Sequence, residues 1–204
     1  MIHSTRAISP FGVEVELDPG ADGRLDDAGR EALRALLVDH RVIVMRGLDL
    51  TMEQQIDLCR SFGPVPDSPY ENFYISNTRE DGFLGQRELQ WHNDVPYLPS
   101  PYLVAALHAV EVVPGSASTM FVDAVRAYAT LPEALRQAIE GRTALQVRQR
   151  VPDRANRTSD LLPGDICTIH PVVRRQPETG TPYLFVNENM TAQIVGLAEA
   201  ESDA

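Results

Sequence analysis

The chain has 204 residues, a net charge of −11, 43% hydrophobic and 23% charged residues, which suits one folded domain spanning residues 1–204. The acidic balance offers no basic face for phosphates and so excludes nucleic acid as a partner. No apolar run reaches the ~18–20 residues of a membrane span, and residues 1–10 lack the apolar core of a secretory signal. All 18 basic residues are arginine, which removes lysine Schiff-base chemistry. Cys59 and Cys167 stand in no metal-binding spacing and make no disulfide framework, so the expected compartment is a reducing cytoplasm.

Residues 11–17 alternate apolar and acidic side chains (Val13, Val15, Leu17 against Glu14, Glu16), the period of a half-buried strand. A turn cluster follows at 18–23. Residues 25–38 place Leu25, Ala28, Ala32, Leu33, Leu36 and Leu37 at helical spacing, with Asp26 and Asp27 at the start, where negative charge suits the helix dipole. The apolar run 42–45 predicts a buried strand. Thr51 with Gln54 is a capping-box signature for a second helix ending near Phe62, and Gly63, Pro64 and Pro66 stop it. Residues 74–76 read as a strand and 78–87 as a loop. Residues 103–113 are apolar enough for a buried strand, and 119–122 for a short one. Residues 123–140 read as two short helices broken at Leu131-Pro132. Strands are expected at 143–151, 166–174 and 183–186, the last two joined by a hairpin-like turn at Pro177-Glu178-Thr179-Gly180. Many short strands with a few helices favour an α+β, β-rich barrel or jelly roll with helical additions.

The chemistry concentrates in Gln90-Trp91-His92-Asn93-Asp94. On an extended strand, residues two apart share a face, so the His92 imidazole and the Asp94 carboxylate can converge on one ion. Two such ligands and a second His make the facial triad of non-haem Fe(II) oxygenases. The pair alone is weak: with 5 His in the chain, chance gives one His-x-Asp in roughly one such sequence in three. The competing reading is a surface His and Asp sharing a hydrogen bond.

The order of the motifs is far more specific than any one of them. Val42-Ile43-Val44-Met45-Arg46-Gly47, Leu50-Thr51-Met52-Glu53-Gln54-Gln55, Ser61-Phe62-Gly63, Trp91-His92-Asn93-Asp94, Glu111-Val112-Val113-Pro114, Thr119-Met120-Phe121-Val122-Asp123, Leu131-Pro132-Glu133, His170-Pro171-Val172-Val173-Arg174 and Leu184-Phe185-Val186-Asn187 follow one another as in the taurine dioxygenase-like family of Fe(II)/2-oxoglutarate-dependent dioxygenases, which the chain resembles over nearly its whole length. The resemblance implies a double-stranded β-helix (jelly roll), Fe(II) as metal and 2-oxoglutarate as cosubstrate. It also implies oxidation of a C–H bond of a small organic substrate by O2, with release of succinate and CO2. It assigns His92 and Asp94 as iron ligands and Thr119 as the hydroxyl on the 2-oxoglutarate carboxylate, although Ser116-Ala117-Ser118 departs from the family's Gly-Gly-Asp.

At the places where taurine-cleaving members hold a His, an Asn and an aromatic near the sulfonate, this chain has Ser68, Glu88 and Met190. A carboxylate at 88 would repel a sulfonate, so a substrate other than taurine is expected. The family's distal His ligand and its carboxylate-holding Arg fall beyond the matched segment. The jelly roll is therefore expected to be incomplete at its C-terminal end, and open sheet edges there favour association of the chain with itself. His170 is a weak alternative third ligand, because no Arg follows it at the family's spacing. His108 reads as a core histidine. Two rivals remain: a non-catalytic jelly-roll binding protein or inactive fragment, and, less favoured, a zinc hydrolase built on the same pair.

Overall fold

The computed structural model describes residues 1–20, 24–66, 74–85, 89–115, 118–149, 154 and 156–203. These form two compact units, the first of Met1–Val65, Leu103–Asp123 and Pro177–Gly180, the second of Pro66–Tyr102, Ala124–Gln176 and Thr181–Ala204.

The first unit is built on a three-stranded sheet in the order β1 (Ile2–Ala7), β2 (Val13–Leu17), β3 (Ile43–Met45). β1 runs antiparallel to β2 and β3 runs parallel to it. The alternation read in residues 13–17 is realised: Val13, Val15 and Leu17 are buried, and Glu14 and Glu16 face outward. Helix α1 (Asp27–His40) connects β2 to β3, starting where the Asp26 carboxylate accepts the Gly29 N–H, the bond an N-cap exists to make. Its Leu33 completes a core with Val13, Val15, Leu17 and Leu25. Helix α2 (Met52–Cys59) opens on the expected capping box of Thr51 and Gln54 and continues into a single 3-10 turn, Arg60–Phe62. Arg30 of α1 binds the Asp57 carboxylate and carbonyl and the Ser61 hydroxyl. The two helices are thus joined through one guanidinium.

The expected strands at 103–113 and 119–122 do not form. Residues 102–113 and 118–123 are irregular, and Leu103, Leu107, Val110, Val112, Val113, Met120, Phe121 and Val122 are between 55% and 74% exposed. Apolarity states only that a segment gains from cover. Among the described residues no strand pairs with this one, although the Arg41 guanidinium holds its end through Asp123 at 3.3 Å.

The second unit carries a sheet in the order β10 (Thr191–Ile194), β6 (Thr143–Val147), β7 (Cys167–Pro171), antiparallel throughout. A hairpin of β8 (Val173–Arg175) and β9 (Pro182–Leu184) turns at the predicted residues, where Gly180 has φ +68°. The run read as one strand at 166–174 is split at Val172. There the carbonyl accepts from Phe185 and the N–H donates to the Arg142 carbonyl. A short parallel pair, β4 (Ile75–Ser76) and β5 (Phe83–Leu84), lies upstream. Helices α3 (Ala124–Ala129) and α4 (Glu133–Ile139) break at Leu131-Pro132 as expected, and α5 (Glu199–Asp203) ends the described chain. The buried set mixes Ala144, Val147, Val172, Phe185 and Ala192 with the polar Gln146, Asn156, His170 and Asn189. No described helix is long and apolar enough to cross a membrane.

Candidate functional site

His92 and Asp94 lie in the second unit, on an irregular segment rather than the strand expected for them. Their side chains converge all the same, with His92 Nε2 and Asp94 Oδ1 3.5 Å apart. His92 Nδ1 is 2.9 Å from the Gln90 carbonyl oxygen, which can only accept. Nδ1 therefore carries a proton, and Nε2 is the ring nitrogen turned toward the Asp94 carboxylate. A metal-binding histidine is ordinarily held in this tautomer, its second nitrogen donating to a carbonyl. Two cis ligands at ~2.1 Å from one ion stand ~3 Å apart, so the pair needs little movement to share a metal. The same proximity raises the His92 pKa above the usual imidazole value: the Asp94 carboxylate favours a cation at the ring and outweighs the opposing effect of burial, with the Gln90 carbonyl adding to the rise. A proton and a metal ion satisfy the same demand. The donor set thus fits a metal.

With no ladder to hold it, the segment is pinned by side chains. Downstream, Val95 turns sharply at φ +45°, a conformation that costs a β-branched residue about 1–3 kcal/mol. The fully buried Pro96 follows it. β7 then grips the next two carbonyls: Thr168 Oγ1 donates to Tyr97 O at 2.8 Å and His170 Nε2 to Leu98 O at 2.9 Å. His170 is buried, stands edge-on to Phe185 at 5.4 Å between ring centroids, and uses its Nε2 on a backbone carbonyl. Upstream, the Trp91 carbonyl accepts from Asn189 N at 3.3 Å, and Asn93 Oδ1 accepts from Asn187 Nδ2 at 3.2 Å. Gln90 Oε1 is buried without a partner, an orphan acceptor two residues from His92.

Thr119 is exposed on the irregular segment of the first unit, and Met190 is half-buried in a turn of the second. Its carbonyl accepts from Val147 N at 2.8 Å. Ser68 and Glu88 lie outside the described residues. His108 is half-buried in the irregular 103–113 run. Among the described residues no third His, Cys, Asp or Glu joins the pair to make a three-ligand cluster. The sequence motifs contain Gln90, Asn93 and Asn187 but assign them no role, and they do not include Thr168 or Asn189. Asn187 alone carried a signal, since an Asn two or three residues before a turn commonly caps it through its side chain.

The model of the family described as "Taurine catabolism dioxygenase TauD, TfdA family" matches residues 4–204. The chain belongs to this family. It is similar to the (S)-phenoxypropionate/alpha-ketoglutarate-dioxygenase of Sphingobium herbicidovorans, 32% identical over 202 residues that cover 88% of this chain and 68% of the relative. Among solved structures, a taurine dioxygenase from Burkholderia xenovorans superposes with a TM-score of 0.67 at 23% identity, over 99% of this chain and 69% of that one. AAD-2 in complex with Mn(II) and N-oxalylglycine gives 0.69 at 19% identity, over 98% and 75%. The chain therefore spans about two thirds to three quarters of the length of these proteins, and it has the jelly-roll fold with helical additions of the family's dioxygenases. Members of the family are 2-oxoglutarate-dependent dioxygenases that use a metal and act on varied small organic substrates.

Proposed function

We propose that the chain carries two of the three protein ligands of an Fe(II) centre, His92 and Asp94, in an enzyme that couples 2-oxoglutarate decarboxylation to oxidation of a C–H bond in a small organic substrate. The observation that carries this is the convergence of Nε2 and the carboxylate at 3.5 Å with Nδ1 committed to the Gln90 carbonyl. An iron held there, with 2-oxoglutarate and O2, supplies the oxidising power. The chain's residues supply position and charge. Gln90 fixes the imidazole tautomer, Asp94 balances the cation, and Thr168 and His170 anchor the backbone beyond the pair. Thr119 is proposed to hold the cosubstrate carboxylate through its hydroxyl, and Ser68, Glu88 and Met190 to face the substrate. A carboxylate at 88 disfavours a sulfonate there, so the substrate proposed is not taurine. We place the enzyme in the cytoplasm on the strength of its two unbridged cysteines.

The test is Fe(II)-dependent release of succinate from 2-oxoglutarate, screened over sulfonates, a phenoxypropionate, other carboxylates, amines and neutral compounds. Coupling to any of them other than a sulfonate supports the reading. Efficient sulfite release from taurine overturns the assignment of positions 68 and 88. Turnover that survives Asp94→Ala overturns the metal site.

A further inference from the structure

The Asn187 side chain makes three hydrogen bonds. Its Oδ1 accepts from Met190 N at 2.7 Å and from Asn189 N at 3.1 Å. Two N–H donors on one atom identify that atom as the oxygen. The other end of the amide must then be Nδ2, and it donates to Asn93 Oδ1 at 3.2 Å. Asn93 sits between the two proposed ligands, and Met190 is the proposed substrate-facing residue.

The turn is itself fixed to the sheet. Thr191 Oγ1 accepts from Asn187 N and donates to the Gln146 carboxamide oxygen, and Gln146, fully buried on β6, donates to the Phe185 carbonyl. Asn156 Nδ2 donates to Asn189 O at 2.6 Å, while the Asn189 N–H reaches Trp91 O. A continuous polar path therefore runs from β6 to the residues flanking His92. It has a local cost: Asn189 is fully buried, and both polar atoms of its side chain lack a partner. A turn kept despite two orphaned buried groups is the kind of local conflict that gathers at functional sites.

We propose that Asn187 is a positioning residue that ties the Met190 turn to the His92–Asp94 pair through Asn93, so that the substrate-facing turn and the metal ligands are set by one anchor. This rests on the metal-site reading above, and it adds a residue that acts on the ligands without touching the metal.

The experiment uses the full chain as wild type, Asn187→Ala, Asn93→Ala and the double variant. Asn93→Ala breaks the tie from the other end and leaves the turn's own bonds in place, so it reports on the tie even where Asn187→Ala fails to fold. Two quantities are read: anaerobic Mn(II) affinity, and amide hydrogen exchange over residues 89–95 in the metal-free protein. Each single variant is expected to lose affinity about tenfold, the lower end of what outer-shell partners of a metal site contribute, and to exchange faster over 89–95. The double variant is expected to be no worse than the more affected single, because both remove one interaction. Unchanged affinity and exchange in a folded single variant overturn the proposal, as do losses that simply add. A wild type that binds no Mn(II) overturns the metal reading instead, and exchange over 89–95 then decides by itself whether the tie exists.

Discussion

His170→Ala separates a scaffold histidine from a metal ligand. The ring is buried, its Nε2 donates to Leu98 O, and its edge meets Phe185. Truncation leaves the Leu98 carbonyl without its donor, at about 1 kcal/mol for a half-buried acceptor. It loses the aromatic contact, about 1 kcal/mol, and opens a cavity worth a further ~1 kcal/mol or more. The expected loss is about 3 kcal/mol, which in a domain of this size lowers Tm by roughly 6–12 °C. Denaturant unfolding of wild type and variant measures it. His170→Gln retains an N–H donor and should recover part of the loss. In the folded variants Mn(II) affinity is expected to fall modestly, because the backbone beyond Asp94 loosens while both proposed ligands stay. Unchanged stability together with abolished metal binding would refute this reasoning and make His170 the third ligand.

Leu33→Ala, at the centre of the first unit's core, should cost about 3–4 kcal/mol in denaturant unfolding; a loss below ~1 kcal/mol would mean that the core is not closed around α1. Asp160 is held down to about pKa 2 by the Arg154 guanidinium, with the Arg157 N–H adding to it. A depressed carboxylate contributes stability above its unfolded pKa near 4 and loses it as pH falls toward 2. The Tm gap between wild type and Asp160→Asn should therefore be constant above pH 4 and narrow below it, and a gap that widens on acidification contradicts the pairing. The eight exposed apolar side chains of residues 103–122 should bind a hydrophobic dye and drive concentration-dependent association. Light scattering that shows a monomer at all concentrations, with no dye binding, means that something covers them.

Local signals were legible where the physics is local. The Val13, Val15, Leu17 alternation, the Thr51 cap and the break at Leu131-Pro132 each depend on neighbours within four residues, and each appears as read, while Asp26, read as favourable charge at the helix start, also serves as its N-cap. The strands expected at 103–113 and 119–122 do not form because burial depends on distant chain, which composition does not report. β10 and α5 were missed for a related reason: Thr191–Ile194 is polar enough to pass for loop, and only its pairing with Leu145 and Ala144 of β6 makes it a strand. At the site, the His92 and Asp94 side chains approach each other, but on an irregular backbone instead of the expected strand, where carbonyl contacts to Thr168 and His170 take the place of a strand ladder. Asn187 lies 94 residues from Asn93, and nothing in the spacing of either joins them.

Anaerobic Fe(II) titration of the wild-type chain beside Asp94→Ala and His170→Gln puts the His92–Asp94 assignment to the most direct test. Removing a carboxylate leaves the cation with fewer donors and uncompensated charge. Asp94→Ala should bind Fe(II) at least tenfold more weakly than wild type, and His170→Gln should stay close to it. Equal affinity of wild type and Asp94→Ala would contradict the metal site, and with it the mechanism built on that pair.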